Sequence, residues 1–185
     1  SDLAQVNDLT FPTINTDDVL LINNAATIGT IVPFDKKQSI DIIKEYNLNL
    51  VAPTILCRKF ITTYPDDKKL LINIGSGAAN SPIQSWSTYC ATKSALDMLT
   101  EVIATEQHDN LEVFSVHPGV VDTNMQKEIR NSDPKSFPLL SKFTAYHNNN
   151  ELETTTIAAQ KLYYIIQNFD EFKKNILSIR DVNLN

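Results

Sequence analysis

Leu70-Leu71-Ile72-Asn73-Ile74-Gly75-Ser76-Gly77, followed by Ser87-Thr88-Tyr89-Cys90-Ala91-Thr92-Lys93, is the stretch on which the fold turns. The apolar run Leu70 to Ile74 predicts a buried strand, and Gly75-Ser76-Gly77 predicts a loop leaving its end. Tyr89 and Lys93 then stand four residues apart, which stacks two side chains on one face of a helix. An ammonium beside a phenol favours the phenolate, so this pair suits proton transfer. Ser76, thirteen residues before Tyr89, brings a hydroxyl from the strand end. Together the three side chains describe a proton donor poised against a carbonyl oxygen.

Outward from this stretch, strands and helices alternate. Val19-Leu20-Leu21-Ile22 reads as a buried parallel strand ending in asparagine. Ser39 is the expected cap of a long helix to about Tyr64, with Ile42, Ile43, Tyr46, Leu50 and Leu56 along a broken apolar stripe. Pro53 predicts a kink or local irregularity in it. The helix carrying Tyr89 and Lys93 continues through Leu96, Leu99 and Ile103 to about Gln107. Glu112 to His117 reads as a third strand, broken by Pro118-Gly119. Residues 120 to about 150 are polar, contain Pro134 and Pro138, and read as a long loop of the lid or mobile type. Thr154 or Thr155 opens a last helix, and Ile176 to Ile179 closes the chain with a short strand. This alternation predicts a parallel α/β sheet.

The 185 residues suit one domain, and 42% hydrophobic content is enough for a core. The net charge of −6 disfavours nucleic acid and anionic membranes as partners. No apolar run approaches the roughly 20 residues of a spanning helix, and no signal peptide opens the chain, which points to the cytoplasm. Cys57 and Cys90 lack metal or redox spacing and read as free thiols. With three isolated histidines they give no metal site. The four glycines, Gly29, Gly75, Gly77 and Gly119, cannot compose the G-x-G-x-x-G loop that brings a backbone against a dinucleotide pyrophosphate.

Ser76, Tyr89 and Lys93 resemble the catalytic group of the short-chain dehydrogenase/reductase family. Three further stretches match in order: Asn23-Asn24-Ala25-Ala26, Asn49 in Asn47-Leu48-Asn49-Leu50-Val51-Ala52, and Pro118-Gly119-Val120-Val121-Asp122-Thr123. The likeness runs from Asp2 almost to the C-terminus. It is nearest the benzil reductase and sepiapterin reductase branch. It implies a Rossmann-type, doubly wound parallel sheet whose first βαβ unit, with the glycine loop, lies before Ser1. Residues 1–185 would then be a single, N-terminally incomplete dinucleotide-binding domain.

The resemblance also implies roles. Tyr89 is the proton donor in reduction. Lys93 supplies charge and grips the nicotinamide ribose, Ser76 holds the carbonyl oxygen, and Asn49 supports a water chain, with Asn47 competing for that assignment. Asp2 and Leu3 cap the adenine, Asn24, Ala25 and Ala26 underlie the cofactor, and Pro118, Gly119, Val121 and Thr123 wrap the carboxamide. Ala26 departs from the family's glycine by one methyl group. The implied cofactor is NADP, with NAD not excluded. The implied substrate is a small carbonyl compound, and the implied assembly is a homodimer on the helices carrying Ile55, Leu56 and Phe60 and Met98, Leu99 and Val102. Each residue also has a plain alternative as a turn serine, surface tyrosine, solvated lysine or loop acid. Trp86 stays open between walling a pocket and packing on the helix start, Met125 falls in the variable substrate segment, and His117 reads as structural. The competing reading of the whole is a non-catalytic relative that keeps the fold for assembly.

Overall fold

The computed structural model describes residues 2–16 and 18–184. Four strands, β1 (Asp18–Asn23), β2 (Lys68–Ile74), β3 (Leu111–His117) and β4 (Ile176–Ser178), form one parallel sheet in sequence order. The register sets Leu20 against Leu70, Ile72 against Phe114 and His117 against Ser178. A short helix α1 (Leu3–Asp8) precedes β1. Helices α2 (Ser39–Tyr46) and α3 (Ala52–Thr63) lie between β1 and β2, and α4 (Ser87–Thr105) between β2 and β3. Helices α5 (Asn124–Arg130), α6 (Leu140–Asn148) and α7 (Thr155–Gln167) occupy the connection to β4.

Strand alternation divides the core in two. Val19, Leu71 and Val113 point to one face, where Cys57 and Phe60 of α3 and Ile103 of α4 cover them. Leu70, Ile72, Phe114 and Val116 point to the other, against Ile165 of α7 and Ile179. Central strands covered on both faces need apolar residues at successive positions, which is why Leu70 to Ile74 shows no polar alternation. The sheet is thus a doubly wound, Rossmann-type α/β layer. All three connections advance the sheet in the same direction. The third passes on the opposite face from the first two and so has the opposite hand, an exception to the usual uniform crossover.

β1 forms one edge, and its outer face leaves Leu20 45% and Ile22 37% exposed.

Helices α2 and α3 are one continuous rod interrupted by a π turn, Asn47–Val51. Pro53 explains the interruption. It has no N–H to give the Asn49 carbonyl four residues before it, and the widened turn, with Ala52 N–H bonded to the Asn47 carbonyl, absorbs the misfit. Ser39 is the first helical residue and not the cap; Gln38 holds the cap position without a side-chain bond. The larger departure is residues 120–150, which hold α5 and α6 where a loop is expected. Pro134 and Pro138 lie between the two helices and hide the short periodic segments on either side. Ile129, Phe137 and Phe143 from this region are buried.

Candidate active site

A parallel sheet delivers the C-terminal ends of its strands to one edge, and the loops leaving them meet there. β1 ends in Asn23 and releases Asn24-Ala25-Ala26, β2 ends in Ile74 and releases Gly75-Ser76-Gly77, and β3 ends in His117 and releases Pro118-Gly119. Asn24 and Ala25 are exposed at this edge, and Ala26 is half-buried.

α4 runs beneath the edge and presents Tyr89 and Lys93 from successive turns, both buried. The Lys93 ammonium donates to the Ile74 carbonyl at 2.6 Å and lies 5.8 Å from the centre of the Tyr89 ring. Burial pushes Lys93 down to about 8, and the Asp97 carboxylate opposes that shift. Burial also raises the Tyr89 phenol above its usual value, while a hydrogen bond with Ser76 pulls it down. The ammonium is aimed at a strand-end carbonyl, and Ser76 bonds the phenol directly and favours its ionised form.

Ser76 caps a short 3₁₀ turn, Gly77–Ala79, and its Oγ accepts from the Ala78 N–H at 3.2 Å. A Cβ at Gly77 would meet nothing within 4 Å, so the face beside Ser76 is open. Gly75 is the reverse case. A Cβ there would fall 2.4 Å from Ser115 Oγ and 2.6 Å from His117 Cδ2.

Asn49 sits in the π turn, 1% exposed. Its Oδ1 accepts from the Thr27 N–H at 2.9 Å, and its Nδ2 donates to the Thr27 carbonyl at 2.8 Å and to Thr92 Oγ1 at 3.4 Å. It thereby ties the loop after β1 to the turn of α4 between Tyr89 and Lys93. Asn47 is half-buried and makes no such bond among the described residues. The same loop is held by a buried ion pair missed in the sequence. Lys37 Nζ lies 2.9 Å from Glu45 Oε2, which also accepts from Thr88 Oγ1. Glu45 Oε1 accepts from the Thr30 N–H at 2.9 Å.

Asn23 spends its amide inside the sheet, donating to Asn73 Oδ1 at 2.9 Å, and Asn73 donates to Thr100 Oγ1 at 2.9 Å. Asp2 is the N-cap of α1, its carboxylate accepting from the Ala4 N–H at 3.0 Å, with Leu3 half-buried beside it. Gly119 takes φ +68°, and the Arg180 guanidinium lies where its side chain would be. Val121 forms a parallel bridge to Glu153, and Thr123 is exposed before α5. Trp86 holds the N-cap position of α4 without a side-chain bond and packs on the helix start, stacked on Phe137 at 5.4 Å with Tyr89 edge-on at 5.7 Å. Met125 packs partly buried against this aromatic cluster.

The group missed in the sequence is a polar one under Gly75. Asp97 Oδ1 accepts from Ser115 Oγ at 2.6 Å, and Asp97 Oδ2 faces His117 Nε2 at 2.8 Å. Its signal was available: Asp97 follows Lys93 by four residues, and Ser115 and His117 alternate with Phe114 and Val116. His117 is structural in the sense expected, bonded within the core. Among the described residues no cluster of three metal-ligating side chains occurs, and no helix is long and apolar enough to cross a membrane.

Residues 14–134 match the family model described as short chain dehydrogenase. The chain is 34% identical to a benzil reductase ((S)-benzoin forming) of Bacillus cereus over 83% of its own length and 64% of that protein's. It is 34% identical to the sepiapterin reductase of Bos taurus over 84% of its length and 59% of that protein's. The solved KRED1-Pglu enzyme superposes with a TM-score of 0.75 at 26% identity, over 80% of this chain and 62% of that one. The chain thus spans about three-fifths of the length of these relatives. The matched segment contains β1 to β3 together with Ser76, Tyr89 and Lys93, and the chain belongs to the short-chain dehydrogenase family.

Proposed function

We propose that this chain is the catalytic part of a nicotinamide-dependent oxidoreductase that reduces a ketone or diketone to an alcohol. The observation that carries the reading is the arrangement at the end of β2. There the Tyr89 phenol meets Ser76 at an open face, with the Lys93 ammonium held at the Ile74 carbonyl.

The residues at the edge suit a nicotinamide cofactor. Asn24 and Ala25 expose a small-residue strand end, and Lys93 offers an ammonium beneath it. Pro118, Gly119, Val121 and Thr123 lie along the adjoining loop to receive the carboxamide, with Asp2 and Leu3 assigned to the adenine end. When bound, the cofactor supplies the hydride. The protein's own residues do the rest. Ser76 Oγ donates to the substrate carbonyl oxygen and holds it against Tyr89 as negative charge develops there. Tyr89 gives its proton to that oxygen, and its burial keeps the proton on the phenol until then. Lys93 orients the ribose and stabilises the phenolate left behind. Asn49, through Thr27 and Thr92, holds the loop and helix that frame a water route to the phenolate.

NADP is the proposed cofactor, from likeness to the carbonyl reductase branch, with NAD as the alternative. Residues 1–185 are read as one dinucleotide-binding domain. The free thiols Cys57 and Cys90 suit a cytoplasmic setting. Assembly as a homodimer is proposed on the outer faces of α3 and α4, where Met98 is 60% and Val102 44% exposed. Ile55 and Leu56 are half-buried on the same side, whereas Phe60 and Leu99 belong to the core cluster.

The test is Tyr89→Phe in the full protein, assayed with NADPH or NADH and a diketone or aromatic ketone. Turnover should fall roughly 10²–10⁴-fold while cofactor binding, followed by nicotinamide fluorescence, survives. A variant with near-normal turnover sinks the mechanism. Unaltered protein that oxidises neither cofactor favours the competing reading, a non-catalytic relative.

A further inference from the structure

Lys93 is almost entirely buried, and no carboxylate lies within ion-pair distance of it among the described residues. An ammonium in that position needs a compensating negative charge, or it gives up its proton. The Ile74 carbonyl supplies only a dipole. The carboxylate whose charge bears on it stands one turn further along α4, on Asp97. Asp97 is itself buried, with both carboxylate oxygens occupied: Oδ1 by Ser115 and Oδ2 by His117. Oδ1 lies 2.9 Å from where a Cβ of Gly75 would stand. The ammonium is thus bonded at Ile74 and the carboxylate packed at Gly75, the next residue. The missing side chain at 75 is what admits the carboxylate.

We propose that Asp97 is a positioning residue, locked by Ser115 and His117 beneath Gly75, whose charge keeps Lys93 protonated and aimed at the β2 end. The proposal rests on the role given to Lys93 above. The titratable groups facing the Asp97 carboxylate are Lys93 on its own helix and His117 from β3; the end of β2 brings the Gly75 backbone. Ser115, also from β3, adds a neutral donor. Asp97→Asn keeps shape and one acceptor oxygen while removing the charge. A purely structural Asp97 would leave the titration of Lys93 where it is. A charge-setting one would not.

The titration is read without cofactor, by NMR of protein carrying ¹³Cε-lysine, with the Lys93 resonance identified by its loss in Lys93→Met. In the unaltered protein the midpoint is expected at about 8. In Asp97→Asn it should fall by about one unit or more, and Asp97→Glu should recover part of the shift. Coincident midpoints in Asp97→Asn and the unaltered protein overturn the proposal. A second measurement needs no folded Asp97 variant. The Asp97 ¹³Cγ resonance of the unaltered protein should step at the Lys93 midpoint, and Lys93→Met should abolish the step. A flat Asp97 trace overturns the proposal equally. Turnover separates this from the reductase reading. Protein inactive toward carbonyls but showing the coupled titration loses only the reductase reading, whereas active protein with uncoupled titrations loses only the role of Asp97.

Discussion

The two faces of β2 and β3 are built from alternate residues of the same strands, yet they share almost no chemistry. Toward α7 the strands present Leu70, Ile72, Phe114 and Val116, met by Ile165 and Ile179. Toward α3 and α4 the same strands place Leu71 and Val113 at their middle and turn polar toward their C-terminal ends. Asn73, Ser115 and His117 follow, meeting Thr100 and Asp97. The apolar face gains about 1.5–3 kcal/mol for each large side chain it buries. The polar face gains far less net from each hydrogen bond, because water was an equal partner in the unfolded chain. One face stabilises the sheet, and the other spends burial on holding charged and hydrogen-bonding groups beneath the loop edge.

Two substitutions break this comparison most sharply. Tyr89→Phe should cut turnover by the roughly 10²–10⁴-fold given above and leave the thermal midpoint nearly unchanged. Phe114→Ala should do the opposite. It opens a cavity in a side chain 2% exposed and should cost about 3–5 kcal/mol of stability by denaturant titration, with turnover per folded molecule retained. Equal loss of activity and stability in both variants would mean that the faces are not separable.

A smaller effect lies in the pH dependence of stability. Lys93 is lowered in the folded protein to about 8 from an ordinary value of 10.5, so between those values the unfolded chain binds the extra proton. Stability rises with pH wherever the unfolded state holds more protons. Lys93 should therefore add an upward slope from about pH 8 toward 10.5, on the order of 1.4 kcal/mol per pH unit at most. Denaturation midpoints of the unaltered protein and Lys93→Met, compared across that window, should diverge. Parallel curves would place Lys93 in a wetter setting than its burial describes.

The smallest effect concerns the edge. Leu20 and Ile22 sit on the α7 side of β1, where no helix of the described residues covers them, and unpaired edges invite association. Residues 1–185 alone should self-associate. Leu20→Lys should reduce that in light scattering while moving stability by only about 0.5 kcal/mol. An unaltered, monodisperse monomer would remove the edge from the list of liabilities.

Much of this was legible in the sequence for a physical reason. A strand covered on both faces must be continuously apolar, and Val19 to Ile22 and Leu70 to Ile74 are. Tyr89 and Lys93 were readable because helical geometry fixes what a four-residue spacing means. The segment from 120 to 150 was not. Its helices are 7 and 9 residues long, too short for a clear period, and proline and asparagine dominate the composition around them. The ion pair of Lys37 and Glu45 was invisible because its members come from a loop and a helix that only the fold brings together. Asp97 was harder to read, because an aspartate on a helix is ordinarily solvated and only its four-residue offset from Lys93 marks it as facing inward.

The π turn at Asn47–Val51 carries one residue more than an α turn would need. That residue acts as a phase shift of about 100° between α2 and α3 along a single rod. Ahead of it the rod turns Glu45 toward Lys37 and Thr88; behind it the rod turns Cys57 and Phe60 toward the sheet. Asn49 stands at the seam, so the two halves are keyed to different neighbours by a single insertion. Shortening the segment by one residue would give a smoother helix but a mis-keyed molecule. Either Glu45 or Phe60 would swing out of place, and Asn49 would lose its hold on Thr27. The irregularity is a spacer, and its length is part of the site.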